Sequence, residues 1–304
     1  MKAVEIDHVT KTFGKAVVAV DDLSLAVPAG TVYGFIGPNG SGKTTTLRMI
    51  MNILYPDSGS IRVFGAALHG ACTDRIGYMP EERGLYKKMK VRELLEFYGG
   101  LKRNGDVRHE VSRWLERLDL ADWANKKVEV LSKGMSQKVQ FVATVVAGPD
   151  LVILDEPFTG LDPVNTDVIR EVVLELQAAG TTVIFSTHDM AMAERMCDFI
   201  FMIFKGRKVL DGTLESIQSE YGNDTIRLRV ETGVEQIADI EGVEKINNYG
   251  QYQELRVARN YDPHDMLRAV MARARVTSFE VTKPSLHDIF VRIAGPEARE
   301  VSNV

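Results

Sequence analysis

The chain has 304 residues, 45% of them hydrophobic, with a formal net charge of −5 and a pI of about 5.8. Its length and composition allow a buried core in one large domain or in two unequal ones. Because the net charge is negative and no block of like charge is present, the composition disfavours a nucleic-acid-binding protein.

Cysteine content and hydropathy indicate where the protein works. Two separated thiols, Cys72 and Cys197, favour neither a disulfide scaffold nor a metal site, so we expect reduced thiols in the cytoplasm. The first ten residues lack a signal-peptide core, and apolar runs such as FIFMIF (199–204) are far shorter than the roughly 20 residues of a membrane-spanning helix. We therefore expect any membrane function to require a partner that spans the membrane.

The first part of the chain predicts short strands followed by a helical segment. TVYGFIG (31–37) has the β-branched and aromatic composition of a buried strand, and residues 43–54 predict a helix that stops before Tyr55-Pro56. IRVFG (61–65) and RIGYM predict further strands. Between about residues 88 and 148, apolar residues recur three and four apart, which predicts a helical insert.

Strands and helices then alternate. LVILDEP (151–157) predicts a strand, residues 165–180 a helix, TTVIFSTH (181–188) a strand and residues 190–197 a short helix. The first four residues of LVILDEP are all apolar, as in a strand covered on both faces. This alternation predicts an α/β fold with a mainly parallel sheet.

The pattern changes again near Gly222. Four strand patterns and two helix patterns follow, at 225–230, 243–248, 252–258, 263–274, 277–282 and 285–293. They predict a small α+β domain with a ferredoxin-like arrangement. The sequence thus divides into residues 1–220 and 221–304.

GPNGSGKT (37–44) matches the pattern G-x-x-x-x-G-K-[ST] between a predicted strand and a predicted helix. Glycines at this spacing let backbone N–H groups surround phosphate oxygens, while the lysine reaches the β- and γ-phosphates and the Thr hydroxyl can bind Mg²⁺. The alternative is a Gly-rich turn without a ligand, and the position between strand and helix disfavours it. The residues expected at the nucleotide are Gly37, Pro38, Asn39, Gly40, Ser41, Gly42, Lys43, Thr44 and Thr45.

Three other motifs carry polar groups at the ends of predicted elements. Asp155 and Glu156 end a buried strand, where Asp155 can hold Mg²⁺ and Glu156 can orient the attacking water; alternatively they are a solvated pair. Ser132 and Gly134 precede a helix whose N-terminus can bind an anion, although a Ser at this position is most often only an N-cap. His188 ends another strand and could touch a γ-phosphate or be purely structural.

In this order, the elements resemble the nucleotide-binding subunit of an ATP-binding cassette (ABC) transporter. GPNGSGKT is similar to Walker A, LVILDE to Walker B, LSKGM (131–135) to the LSGGQ signature and GLDP (160–163) to the D-loop. The resemblance covers about residues 1–215. It implies a RecA-like P-loop core with a helical insert, a catalytic trio of Lys43, Glu156 and His188, and nucleotide contacts by Asp162 and by Phe13 stacked on adenine. A core aromatic is the alternative for Phe13.

The resemblance also implies cofactors and partners. ATP with Mg²⁺ would bind between the Walker A loop of one subunit and the signature of another, so a homodimer or a heterodimer is needed. The closing dimer would drive a transmembrane permease at the inner face of the cell membrane. The segments PEERGLYKKMKV (80–91) and TKPSLHDIFVRIAG (282–295) resemble export-type systems, including sodium-extruding exporters.

Two departures from the family pattern are present. Lys133 and Met135 replace Gly and Gln of LSGGQ, while Ser132 and Gly134 are kept. Glu81 stands where relatives usually have Gln, and we expect it to bind the Mg²⁺ ion more strongly than an amide does. The alternative is a solvated acidic turn. Glu82, Arg83 and Lys87 are expected to face the helical insert or the partner.

Three functions are compatible with these motifs. The first is the ATPase subunit of an exporter of sodium, drugs or lipids and polysaccharides, which we favour. The second is a soluble ABC ATPase that remodels ribosomes or DNA, against which the acidic balance argues. The third is a nucleotide sensor without turnover, which the presence of Lys43, Asp155, Glu156 and His188 disfavours.

Overall fold

A computed structural model describes residues 1–14, 17–67, 74–82, 84–103, 105–222, 224–231, 237–248, 250–258 and 261–295. The chain divides into two units, Met1–Thr213 and a second that begins at Leu214. The predictions made for Cys72 and Arg83 lie outside the described residues. Cys197 is a free thiol packed against Gly34, and burial raises its pKa.

The described residues of the first unit form ten strands and six α-helices. In chain order these are β1 (Lys2–Phe13), β2 (Val17–Pro28), β3 (Val32–Ile36), α1 (Lys43–Ile50), β4 (Ser58–Val63), β5 (Ala66–Ala67), β6 (Ile76–Met79), α2 (Val91–Lys102), α3 (Arg108–Arg117), α4 (Lys133–Val145), β7 (Leu151–Asp155), α5 (Pro163–Ala178), β8 (Thr182–Thr187), α6 (Met190–Met196), β9 (Phe199–Phe204) and β10 (Arg207–Gly212).

A six-stranded sheet with the order β10-β9-β3-β8-β7-β6 lies at the centre of this unit. Its strands are parallel except β10, which pairs antiparallel with β9. One face packs on α1 and on a second sheet, β2-β1-β4-β5, and the other face packs on α4 and α5. Because both faces are covered, every residue of β3, β7 and β8 is buried, as the sequence predicted for an α/β fold.

The helical insert consists of α2, α3 and α4, with two short 3-10 helices before α4. Its buried residues, such as Leu94, Trp114 and Phe141, are continuous with the core on the helical face of the central sheet. The insert therefore presents the N-terminus of α4, with Ser132 as its N-cap, from a rigidly packed base.

The predicted end of α1 was wrong. The helix expected over residues 43–54 ends at Ile50 because Asn52 adopts a left-handed conformation with φ of 57°. The Ile53 N–H then donates to the Arg48 carbonyl at 2.9 Å, which closes the end of the helix.

The second unit contains α7 (Leu214–Tyr221), β11 (Thr225–Val230), β12 (Val243–Asn248), β13 (Gln253–Val257), α8 (Pro263–Met271), β14 (Val276–Thr282) and α9 (Leu286–Ala294). Its antiparallel sheet has the order β12-β13-β11-β14, which is the strand order of a ferredoxin-like fold. Ile226, Leu255 and Met266 lie in its core, and a buried ion pair joins Arg292 to Asp224.

Candidate active site

The phosphate-binding motif forms the loop between β3 and α1, at the carboxyl ends of the parallel strands. A pocket of about 250 Å³ opens over this loop. This is the edge at which open α/β sheets bind ligands. The residues that line the pocket are Ala19, Asn39, Gly40, Ser41, Gly42, Lys43, Thr44, Thr45, Glu81 and Glu156.

The first and third glycines of the motif are required by close approach of other backbone segments. A Cβ at Gly37 would overlap the carbonyl oxygen of Ile203, and one at Gly42 would overlap that of Ala19. Gly42 also has a φ of 111°, which strains any other residue. The loop is thus held closely between β2 and β9.

Lys43 is buried and lies across the pocket floor. Its Nζ donates to the carbonyl oxygens of Gly37 at 2.7 Å and of Pro38 at 3.2 Å, and it is 3.6 Å from Glu156 Oε1. Burial lowers the pKa of Lys43, and the nearby carboxylates of Glu156 and Asp155 oppose that shift. Because Lys43 is already largely desolvated, binding an anionic phosphate to it would cost little further dehydration of the cation.

Asp155, at the end of β7, is buried beneath the loop. Its Oδ1 accepts hydrogen bonds from Thr44 Oγ1 at 3.2 Å and from the Ser186 hydroxyl. Its Oδ2 is buried with no hydrogen-bond partner among the described residues. A buried carboxylate oxygen without a partner is costly, and a hard cation held with the Thr44 hydroxyl would satisfy it. The donor set therefore fits Mg²⁺.

Among the described residues, no group of three or more His, Cys, Asp or Glu side chains is placed to hold a metal ion. Mg²⁺ is commonly held by one or two carboxylates together with substrate phosphates and water.

Glu156 reaches the pocket through an unusual backbone conformation. Its φ is 50°, in the left-handed region that non-glycine residues rarely occupy. The Ser186 hydroxyl accepts a hydrogen bond from the Glu156 N–H at 3.0 Å. Glu156 Oε2 lies 3.0 Å from His188 Nδ1 and accepts from Thr159 Oγ1 at 3.2 Å. The carboxylate is therefore oriented from two sides, next to the phosphate loop.

The acidic loop after β6 also reaches the pocket. Glu81 is exposed at the rim, where its charge adds slightly to those of Glu156 and Asp155 in opposing the lowering of the Lys43 pKa by burial. The Glu82 side chain is exposed as well, and the carbonyl oxygen of Lys87 accepts from the Glu129 N–H of the helical insert at 3.0 Å. Residues of this loop thus contact both the phosphate pocket and the helical insert.

Ser132, Gly134 and Asp162 are not among the residues that line the phosphate pocket. Ser132 caps α4 by accepting from the Met135 N–H at 3.2 Å, and Asp162 caps α5 by accepting from the Asn165 N–H at 3.0 Å. The N-cap role considered for Ser132 is therefore observed. It occupies the Met135 N–H and leaves those of Lys133 and Gly134, at the start of α4, available to an anion.

Lys133, one of the two departures from the signature pattern, lies against the D-loop. A Cβ at Gly160 would overlap its Nζ, so the lysine chain covers the Gly160 backbone. The Lys133 side chain is exposed otherwise. The altered signature thus places a cation between the N-terminus of α4 and the loop that follows Glu156.

Phe13, the predicted adenine-stacking residue, ends β1 and is 43% exposed. This exposure is not that of a core aromatic. It pairs across the sheet with Val17, and both side chains are exposed. Ala19 of the same strand β2 lines the phosphate pocket.

Sequence reasoning missed Ser186 and Thr159, which hold the two Walker B carboxylates. The register of the parallel sheet pairs Ser186 with Asp155. A polar residue directly after the apolar run VIF (183–185), two positions before His188, was the available signal.

Comparison with known proteins agrees with this geometry. A family model described as ABC transporter matches residues 20–159, and one described as ATP-binding protein DrrA1-3-like, C-terminal domain, matches residues 212–294. An uncharacterized ABC transporter ATP-binding protein, YhaQ of Bacillus subtilis strain 168, is 39% identical over 292 residues, which cover 95% of this chain and 98% of YhaQ. The chain belongs to the ABC transporter ATP-binding proteins.

Other members of the family are similar over comparable lengths. The daunorubicin/doxorubicin resistance ATP-binding protein DrrA of Streptomyces peucetius is 32% identical over 318 residues, which cover 99% of this ABC protein and 95% of DrrA. A solved ATP-binding subunit of an ABC transporter superposes with a TM-score of 0.68 and 30% identity, over 72% of this chain and 93% of the other. The ABC ATPase fold predicted from the motifs is confirmed.

ABC cassettes bind and hydrolyse ATP, so this chain is an ATPase. Subunits of this kind dimerise and work with a membrane permease. Among the helices of the described residues, none is long and apolar enough to cross a membrane.

Proposed function

We propose that this ABC ATPase drives an export system, binding ATP and Mg²⁺ at two composite sites of a dimer and powering a separate permease. The observation that carries the proposal is the arrangement of Glu156, which lies between Lys43 and His188 and lines the pocket over the phosphate loop. Resemblance to a drug-resistance ATP-binding protein over nearly the whole chain supports export. Sodium, drugs and lipids or polysaccharides are the candidate substrate classes.

The catalytic work of this chain is positioning and charge. Lys43 would bind the β- and γ-phosphates, and Glu156, oriented by Thr159 and His188, would orient and polarise the attacking water. Asp155, Thr44 and Glu81 would hold Mg²⁺, which would supply neutralisation of phosphate charge. His188 is half exposed and would contact the γ-phosphate once nucleotide is bound.

The second half of each nucleotide site would come from another subunit. Ser132 and Gly134 lie outside the phosphate pocket of their own chain, at a helix end suited to bind an anion. One chain holds one phosphate loop and one signature, so two composite sites need two copies or one copy with a homologue. Asp162, in the D-loop, would lie at the same interface.

The permease would dock between the acidic loop and the helical insert, which places the ATPase at the cytoplasmic face of the membrane. An apolar cavity of about 180 Å³ there is lined by residues that include Tyr98 and Leu101. Tyr86, Phe97 and Leu101 are 54%, 42% and 62% exposed, and the three rings of Tyr86, Phe97 and Tyr98 pack together. A contiguous exposed aromatic surface is typical of a protein interface.

The relatives named above are transport or drug-resistance proteins, which does not support a soluble ATPase that remodels ribosomes or DNA. The acidic net charge also disfavours a nucleic-acid partner. The second unit, a DrrA-like C-terminal domain, is proposed to act as an accessory domain of the exporter ATPase.

Replacing Glu156 with Gln tests the catalytic assignment. The variant should bind ATP normally, lose about 10²–10⁴-fold in turnover and accumulate as an ATP-bound dimer, measured by phosphate release and light scattering. Glu82→Gln, the same charge change at an exposed neighbour of the pocket, should leave turnover unchanged. Hydrolysis by Glu156→Gln within a few-fold of the wild type would reject the assignment.

A further inference from the structure

The signature helix α4 carries two buried glutamines on one face. Gln137 and Gln140 are 4% and 5% exposed. Residues three apart in a helix lie next to each other, so the two side chains project from the same side of α4, one turn and two turns after its N-cap, Ser132.

Each glutamine donates to a proline carbonyl beside a carboxylate of the nucleotide pocket. Gln137 Nε2 donates to Pro157 O at 2.9 Å, and Pro157 directly follows Glu156. Gln140 Nε2 donates to Pro80 O, also at 2.9 Å, and Pro80 directly precedes Glu81. Both carboxylates line the phosphate pocket. One helix is therefore bonded to the two loops that carry them.

The side-chain amide of Gln140, which contacts the acidic loop, has only part of its hydrogen-bonding capacity used. Gln140 Nε2 also approaches Glu82 O at 3.4 Å, whereas Gln140 Oε1 is buried with no hydrogen-bond partner among the described residues. A buried acceptor without a donor favours any shift that supplies one. The bonding of α4 to this loop is thus suited to change when the loop moves.

We propose that Gln137 and Gln140 are positioning residues that couple the two composite sites. The inference rests on the proposed function, in which α4 presents Ser132 and Gly134 to the nucleotide of the other subunit. Occupancy of one site sets the positions of Glu156 and Glu81, the two amides transmit those positions to α4, and α4 adjusts its contact with the second nucleotide.

The bonds are suited to this role because they join separate segments of chain. Gln137 spans from α4 to the turn after β7, and Gln140 spans from α4 to the loop after β6. Without the bond from Gln137, the buried Pro157 carbonyl would be left unpaired, so a displacement of Pro157 favours a matching displacement of α4. Energetic coupling between two sites requires a structural element whose position depends on the occupancy of both sites, and α4 is such an element here.

The test compares ATP dependence of hydrolysis in the full chain, together with the permease with which it co-purifies. Gln137→Met and Gln140→Met retain the length of the side chain and remove the donor. The matched control is Gln177→Met, because Gln177 Nε2 donates in the same way to Gly30 O at 3.3 Å, from the end of α5. Gly30, in the turn between β2 and β3, does not line the phosphate pocket.

We expect a Hill coefficient above one for the wild type and for Gln177→Met, falling to one in Gln137→Met and in the double variant. Binding of a fluorescent ATP analogue to the isolated chain should be unchanged, because the phosphate loop is intact. If a Met variant fails to fold, Gln137→Leu replaces it, since leucine has a similar volume and cannot donate to Pro157 O.

Three results would overturn the inference: a Hill coefficient of one in the wild type, an unchanged coefficient in the double variant, or an equal fall in Gln177→Met. These differ from failure of the proposed function, which would appear as a wild-type chain that does not hydrolyse ATP or does not co-purify with a membrane protein.

Discussion

Replacing Ser186 with alanine tests how the Walker B carboxylates are held. The Ser186 hydroxyl donates to Asp155 Oδ1 and accepts from the Glu156 N–H, and the residue is fully buried. Alanine removes both bonds without adding volume. Asp155 would keep only the bond from Thr44 at Oδ1, and the Glu156 N–H would have lost this acceptor.

The expected cost follows from the two bonds. A hydrogen bond to a charged group contributes about 1.5–3 kcal/mol, and a buried donor left unpaired costs about 1–3 kcal/mol. Because the two effects share one hydroxyl and are not additive, we expect the free energy of unfolding of the first unit to fall by about 3 kcal/mol. The left-handed backbone of Glu156 loses a restraint, so the carboxylate should move and kcat should fall about 10-fold or more.

The assay is steady-state phosphate release together with urea unfolding. The KM for ATP should change little, because the contacts of Lys43 with the loop are intact. Thr182→Val is the control, since Thr182 lies at the other end of β8 and its hydroxyl accepts from the Gly30 N–H at 2.9 Å. It should lower stability and leave kcat unchanged. Loss of stability with an unchanged kcat in Ser186→Ala would refute the reasoning.

Three further outcomes are expected. Glu81→Gln and Glu81→Ala should both raise the Mg²⁺ concentration needed for half-maximal ATPase rate, Ala more than Gln; unchanged Mg²⁺ dependence in both would remove the ligand role. Arg292→Ala should destabilise the second unit by about 3–5 kcal/mol in calorimetry, because it leaves Asp224 buried and unpaired, whereas Arg268→Ala breaks only an exposed pair and should cost at most about 1 kcal/mol. Phe97→Asp should abolish co-purification of the permease without altering thermal stability; equal loss in Ile53→Asp, at another exposed apolar residue, would contradict the docking surface.

The predictable parts of this protein are those with a strong local pattern. The strand at β3 and the phosphate loop after it were evident because an apolar run and a fixed glycine spacing occupy adjacent residues. The strand before Asp155 was equally evident, since LVIL is apolar at every position. The C-terminal strand β12 was predicted with both of its ends correct.

The remaining features depend on contacts between distant segments. The sheet of β1, β2 and β4 was not predicted, because β1 mixes buried and exposed residues irregularly and contains several register shifts. The left-handed conformation of Glu156 has no sequence signal, since it is stabilised by Ser186 on the neighbouring strand. The early end of α1 depends on the left-handed conformation of Asn52. The sequence around Asn52 is equally compatible with a helix that continues past this residue.

The strand order of the central sheet has a consequence for synthesis of the protein. Val32 of β3 pairs with Val183 of β8, and Tyr33 pairs with Phe199 of β9. At about 5–20 residues per second, a ribosome needs roughly 8–30 s to add the approximately 150 residues that separate β3 from β8. Until then the phosphate loop has neither neighbouring strand. A ligand stabilises only the state that binds it. ATP can therefore stabilise this fold only after nearly the whole cassette has been synthesised.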